Sequence, residues 1–369
     1  MRTILKRFLT RRKLRINVSR LVKFHLKHLE HNYNIVRSLS KQSKILAYVK
    51  QDAYGHGVTT VASALKQADG FGVTDFTTAK TIRSLYTDKV ILHAAINPTI
   101  QDIKAAITHD ISIVIYNQSI VDLILKHRLK VKMWLKVDTG FNRLGITPDA
   151  IEETLEKLLP FANGDIVLMT QYMSPFGNSK LYDKQVKCWQ SIISQINQPY
   201  SYANSAVIMQ NSEDLGHWVR PGMMLFAHPH YQMPDCGLLP VMEVSSPIVH
   251  IKKIAKGESI GYEQYYQFQE ETTIAIIGTG YGDGYPFDPG PDAAVYYEGQ
   301  RLPILGKMTM DFMVVKLGNT KAKIGDHVEL WGMNYSAAQL AQSSNTIIYD
   351  LFTKFNTARF KKEIIYDQS

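Results

Sequence analysis

The residues able to do chemistry gather in a few short strings. In ILAYVKQDAYGHG, residues 45–57, an apolar run delivers Lys50 and a glycine-rich turn follows. A lysine at the end of a buried strand is costly unless its amine is neutralised or bonded. Condensation with an aldehyde cofactor does this, and a lysine so placed can also serve as a base. Taken alone, Lys50 is more simply a lysine leaving its strand for solvent. In LKVDTGFNRLGI, residues 135–146, Lys136 and Arg143 flank an Asp-Thr-Gly turn. A guanidinium fork suits a carboxylate, whereas Lys136 beside Arg143 is a like-charge clash unless the amine loses its charge. Asp138 fits an ordinary strand-to-helix turn.

Other strings are weaker by themselves. YANSAVIM carries Asn204 and Ser205, and WVRPGMMLF carries Arg220, Gly222 and Met223; Asn-Ser alone is a turn dipeptide. The glycines 278, 280, 282 and 284 of GTGYGDGYP suggest a nucleotide loop, but no helical pattern follows and Pro286 intervenes. Asp283, Asp288 and Asp292 lack the spacing of a calcium loop. His228-Pro229-His230 has no accompanying carboxylate or cysteine set, so no metal site is expected.

The elements that must position these residues follow from periodicity. Apolar, β-branched runs begin near Ile45, Phe71, Val90, Ile111, Val131, Ile166, Tyr200 and Val219. Amphipathic stretches such as TAKTIRSL and AIEETLEKLL separate them. Eight such units predict an α/β fold, a (β/α)8 TIM-type barrel with its chemistry at the C-terminal ends of the strands. Phosphate sites in such barrels often form at the last two units. After about residue 245 the pattern becomes alternating and turn-rich, predicting a mainly β C-terminal domain. The expected division is a basic N-terminal extension over 1–19, a barrel over 20–248 and a β domain over 249–369.

A hydrophobic content of 45% over 369 residues supports one or two cores. The formal charge of +9 would invite an anionic partner, but seven of those charges lie in the first fifteen residues, leaving +2 for the rest. Neither nucleic acid nor membrane is therefore an expected partner. The two cysteines, Cys188 and Cys236, exclude a disulfide framework and point to a reducing, cytoplasmic setting. No apolar run approaches the roughly 18 to 20 residues of a membrane span. The basic start lacks the apolar stretch of a secretory signal.

VKQDAYGHG resembles the cofactor-lysine motif of the alanine racemase family. The resemblance extends in order through LKVDTGFNRLGI, YANSAVIM, WVRPGMMLF, IGYEQYY, GYGDGYP and GKMTMDF, outside residues 1–19. It implies a pyridoxal-phosphate (PLP)-dependent racemase interconverting L-alanine and D-alanine by two-base proton transfer, supplying D-alanine for cell-wall synthesis. By the match, Lys50 holds the cofactor and is one base. Tyr262 is the other, supplied by the partner subunit, so a homodimer with shared sites is implied. A free phenol has a pKa of about 10, so it needs activation by neighbours. The resemblance places Tyr54, Asn204, Ser205, Gly222 and Met223 at the cofactor phosphate. Arg143 would reach the cofactor's phenolic oxygen and the substrate carboxylate. Arg220 would face the pyridine nitrogen, where an arginine, lacking a proton acceptor, disfavours protonation and weakens the electron sink. Tyr281 would line the site, the Met310-Asp311 backbone would hold substrate, and Lys136 matches a lysine that many members carry carbamylated.

Departures mark where the match thins. Thr170-Gln171-Tyr172 stands where the family often shows Thr-His-Phe, with a histidine supporting the pyridine-facing arginine. NTARFKK, from Asn356, lacks the arginine-proline close of the family tail and its phosphate-contacting tyrosine. Lys307 replaces a common arginine. Alternatives are a racemase of broader or different amino-acid range, since one methylene is worth only about 1 to 3 kcal/mol, and a non-catalytic barrel that binds the same cofactor. The second lacks a β domain and so fits residues 250–369 poorly. A decarboxylase of this fold places a carboxylate where Arg220 falls.

Overall fold

In a computed structural model of the chain, the described residues are 19–173, 175–176, 179–210, 214–227 and 233–366. Residues 1–18 of the basic extension and the His228-Pro229-His230 cluster lie outside them.

A short strand, β1 (Leu21–His25), comes first, then the helix Leu26–Leu39. Eight strands alternate with helices after it: β2 (Lys44–Tyr48), β3 (Gly70–Val73), β4 (Val90–His93), β5 (Ser112–Ile115), β6 (Met133–Lys136), β7 (Val167–Met169), β8 (Tyr200–Ser201) and β9 (Trp218–Val219). They form one parallel sheet in the order β8-β7-β6-β5-β4-β3-β2-β9, a nearly closed barrel. Each corresponds to an apolar run expected from the sequence, because strands covered on both faces need continuous β-branched and aliphatic residues. Ile45, Leu46, Phe71, Ile91, Leu92, Ile115, Leu135 and Leu168 are accordingly fully buried. Side-chain caps set several helix starts: Asp75 accepts from the Thr78 amide at 2.7 Å, and Thr99 and Asp102 form a reciprocal capping box.

The second part is mainly β. Its strands are β10 (Met242–Ile254), β11 (Ser259–Ile260), β12 (Tyr266–Gln267), β13 (Thr272–Ile277), β14 (Ala294–Tyr297), β15 (Gln300–Pro303), β16 (Met313–Lys316), β17 (His327–Trp331) and β18 (Lys361–Ile365). The principal sheet runs β15-β14-β17-β10-β1-β18, with β13 bridging β10 and β16. β1 therefore pairs antiparallel with β10 and parallel with β18, although its sequence position precedes the whole barrel. Residue 248, after which the β domain is expected, lies inside β10. Val22 and Phe24 point into the core while Lys23 and His25 share Glu243 on β10, at 2.9 and 3.1 Å. Asn32, fully buried, ties the connecting segment down. It donates to the carbonyls of Leu225 and Leu239 and accepts from the Leu239 amide.

Candidate active site

A cavity of about 590 Å³ opens at the C-terminal ends of the barrel strands. Tyr48, Lys50, Tyr54, Lys136, Arg143 and Gln171 line it, together with Asn204, Ser205, Arg220, Gly222 and Tyr349. Lys50 follows β2 after a single residue, Val49. The next four residues, Gln51 to Tyr54, all hold φ between 51° and 54°, a left-handed turn that costs L residues roughly 1–2 kcal/mol each. Local bonds hold it: the Ala53 amide donates to the Val49 carbonyl at 3.1 Å, Gly55 to Gln51 at 3.0 Å, and the Asp52 carboxylate accepts from the Val58 amide at 2.8 Å. His56, buried against Phe226 and Phe352, is kept neutral by burial, which pushes its pKa down to about 4. Its Nδ1–H donates to the Tyr54 carbonyl at 2.9 Å. Gly55 has φ +80°, and a Cβ there would lie 2.5 Å from the Phe352 carbonyl oxygen, so no other residue fits. This turn brings the Tyr54 ring back to the cavity that Lys50 enters.

Cations crowd the floor. Burial first, and the Arg143 charge second, lower the Lys50 pKa. Lys136 at the end of β6 is pushed down to about 8 by burial, then by Arg143 and Arg220. Arg143 is exposed, its guanidinium 4.6 Å from the centre of the Phe141 ring. Asp138 accepts from the amides of Gly140 and Asn142 at 3.0 Å each, the turn role its position suggested.

Arg220 is buried. It donates to the Ser201 hydroxyl and the Thr170 carbonyl, both at 2.6 Å, and Ser201 passes its own proton to the Trp218 carbonyl at 2.7 Å. Gln171 does not support it, bonding weakly to the Tyr172 carbonyl at 3.3 Å instead. Neutral acceptors thus occupy two corners of the guanidinium.

At the opposite wall Asn204 caps the helix Ser205–Met209, accepting from the Val207 amide at 3.2 Å while donating to the Tyr172 carbonyl at 3.0 Å. The Gly222 amide donates to the Ser205 hydroxyl at 3.0 Å, and a Cβ at Gly222 would lie 2.7 Å from the Tyr54 hydroxyl. The two hydroxyls and this glycine make a narrow cradle. Met223, next in the chain, is fully buried in the core rather than in the cavity.

Two lining phenols escaped sequence reasoning. Tyr48 sits two positions before Lys50, so strand periodicity places both on one side, a signal already present in the string. Tyr349, on the helix Ile348–Lys354, brings its ring 5.9 Å from that of Tyr54. A phenol therefore reaches the cavity from the C-terminal segment just before NTARFKK.

The residues expected from the β domain stand elsewhere in the single chain. Tyr262, on the hairpin between β11 and β12, is 93% exposed, and Tyr281, Met310 and Asp311 do not line the cavity. Asp283 and Asp288 are held by cations: Asp283 by Arg20 and Arg359, Asp288 by Lys307 at 3.2 Å. Lys307 also lies over the rings of Tyr265 and Phe287.

Comparison with known proteins accounts for both parts. A family model described as "Alanine racemase, N-terminal domain" matches residues 24–229, and one described as "Alanine racemase, C-terminal domain" matches 241–364. An alanine racemase of Actinobacillus succinogenes is 32% identical over 337 residues, covering 88% of this chain and 94% of the relative. The biosynthetic alanine racemase of Pseudomonas aeruginosa superposes with a TM-score of 0.88 at 28% identity, over 94% of this chain and 99% of that one. The Bartonella henselae alanine racemase with covalently bound pyridoxal phosphate superposes at 0.85 with 23% identity, over 94% and 99%.

Proposed function

Because the chain belongs to the alanine racemase family and is thus a pyridoxal-phosphate-dependent racemase, we propose that it interconverts L-alanine and D-alanine with Lys50 and Tyr262 as its two bases. The cavity's residues fit the cofactor on three counts. The Tyr54 and Ser205 hydroxyls and the Gly222 amide make a cradle that any Cβ at 222 would fill. An amine of lowered pKa stands beside it. A buried guanidinium, Arg220, faces the same space. Tyr54, Ser205, Gly222 and the start of the Asn204-capped helix would hold the phosphate, with the Met223 backbone following Gly222. When bound, the cofactor links to the substrate amine and takes up the electron pair released as the α-proton leaves.

The remaining chemistry belongs to the chain. Lys50, its ammonium form disfavoured by burial and by Arg143, gives up or receives the α-proton on one face. The Tyr262 hydroxyl serves the other, since a single base would return the proton to the side it came from. Arg143 takes the substrate carboxylate in a two-point grip. Arg220, bonded to two neutral acceptors, keeps a fixed positive charge where a carboxylate would act differently.

Tyr262, Tyr281, Met310 and Asp311 reach the cavity of a second copy in a homodimer. Large apolar side chains stand uncovered on both surfaces that would meet: Ile96 and Leu144 at the cavity rim, Tyr262, Met310 and Phe312 on the β domain. The reading carries with it a cytoplasmic enzyme supplying D-alanine for the cell wall, a setting that the two free cysteines suit.

The observation that carries the reading is Lys50 at the barrel mouth beside that cradle. Tyr262→Phe tests it: the variant should keep the visible absorbance of cofactor attached to Lys50, a band that borohydride bleaches as it fixes the cofactor there, while losing most racemisation. Full activity in Tyr262→Phe removes the two-base assignment.

A further inference from the structure

One buried carboxylate has no part in the reaction as described above. Asp283 is fully buried, yet it binds two arginines drawn from distant parts of the chain: Arg20 at 2.9 Å and Arg359 at 2.8 Å. Its other oxygen accepts from the Gly280 amide at 3.1 Å. Arg20 also donates to the Gly278 carbonyl. Arg359 continues outward, donating to the Gly282 carbonyl at 3.0 Å and to the Asp311 carboxylate at 3.2 Å. The turn that carries Tyr281 is meanwhile zipped to the next segment, the Tyr281 amide to the Thr309 carbonyl at 3.1 Å and the Gly282 amide to the Met310 carbonyl at 2.9 Å. No Cβ fits at Gly280, where it would strike the Thr309 carbonyl.

Charges therefore alternate along a line: Arg20, Asp283, Arg359, Asp311. The inner pair is sheltered, and a buried carboxylate needs such partners simply to be tolerated. The outer pair is not: Arg359 is 39% exposed and Asp311 45%, so their pairing is not needed to satisfy a buried charge. We propose that Arg359 is a positioning residue for substrate binding. Anchored on Asp283, it holds the Tyr281 turn against Met310 and neutralises Asp311, so that a substrate carboxylate can approach the Met310-Asp311 backbone without meeting an unpaired negative charge. This rests on the reading that Tyr281 and the Met310-Asp311 pair face the substrate.

Arg359→Gln in the full-length holoenzyme tests it, because shortening this exposed side chain empties no core and leaves Asp283 paired with Arg20. KM for alanine should rise about tenfold, the scale of one lost charge-assisted hydrogen bond, with kcat within about twofold, the pattern of lost uniform binding. The rise should shrink as salt is raised, since it reflects repulsion by an exposed carboxylate. Amide exchange across residues 280–284 should quicken. Arg359→Lys should restore most of the KM, and Lys361→Gln, which removes a neighbouring cation paired with Glu363, should change none of these. Merely impaired folding would lower active enzyme and kcat per chain, leaving KM and its salt dependence alone. Unchanged amide exchange overturns the proposal by showing that Arg359 does not hold the turn. Quickened exchange with unchanged KM overturns it differently, by showing that this turn and Asp311 do not meet the substrate.

Discussion

At the scale of single residues, the charge of Lys136 is set against those of its neighbours. Burial, Arg143 and Arg220 together lower its pKa from 10.5 to about 8, so far more of this amine is neutral near pH 7.5 than of a surface lysine. A neutral amine can take up carbon dioxide, becoming an anion between two arginines in place of a third cation. If it stays free, the folded state binds fewer protons than the unfolded chain between about 8 and 10.5. Stability then rises with pH across that window, and the cost of the buried cation is fully felt below it. We expect added bicarbonate to raise Tm and kcat/KM at pH 7.5 in the wild type after carbon dioxide has been stripped. Lys136→Met should not respond. An unresponsive wild type would mean that the amine stays unmodified. That Lys50, Arg143, Ser205 and Arg220 line one cavity was legible because each lies in a string whose order resembles the family's. Tyr349 was not, because the signal sought was a phenol within the tail, and a helix turned it into the cavity from just before.

At the scale of elements, β1 shows what alternation does and does not reveal. LVKFH has the period-two pattern of a half-buried strand, and the structure buries Val22 and Phe24. Which strand it joins is set by partners 220 residues away, the separation of Lys23 from Glu243. Nothing local encodes that, so the sequence placed residues 20–25 with the barrel. The eight barrel strands were legible for the opposite reason, since each pairs with its neighbour in order. The β1–β10 junction carries its own pH signature. The bond from His25, then that from Lys23, overcomes the effect of burial and pulls Glu243 down from 4.5 to about 2. A carboxyl depressed by folding adds stability that is complete above about 4.5 and lost as pH falls toward 2. Glu243→Gln should therefore lower Tm at pH 7 and converge with the wild type near the bottom of that range. Parallel curves down to pH 2 would show that the pair does not couple the strands.

At the scale of the molecule, the lone chain holds Lys50 in a cavity and Tyr262 on a bare surface. If two copies complete each site, Lys50→Ala and Tyr262→Phe, each nearly inactive, should rescue one another when unfolded together and refolded. Random pairing yields half mixed dimers with one intact site of two, about a quarter of wild-type activity. No recovery, in a mixture that sediments as dimers, would place both bases in one chain. The seating of β1 has another consequence. Synthesis makes this strand before the barrel, while both of its neighbours, β10 and β18, emerge after it. A nascent chain can close its barrel early, but it must carry β1 with two open edges until β10 is made, and with one still open until translation reaches residue 365. The barrel and the β domain are thus not separable goods: a premature stop before β10 strands the first ribbon made, and one between β10 and β18 leaves it a bare edge, a burden for chaperones or a seed for aggregation.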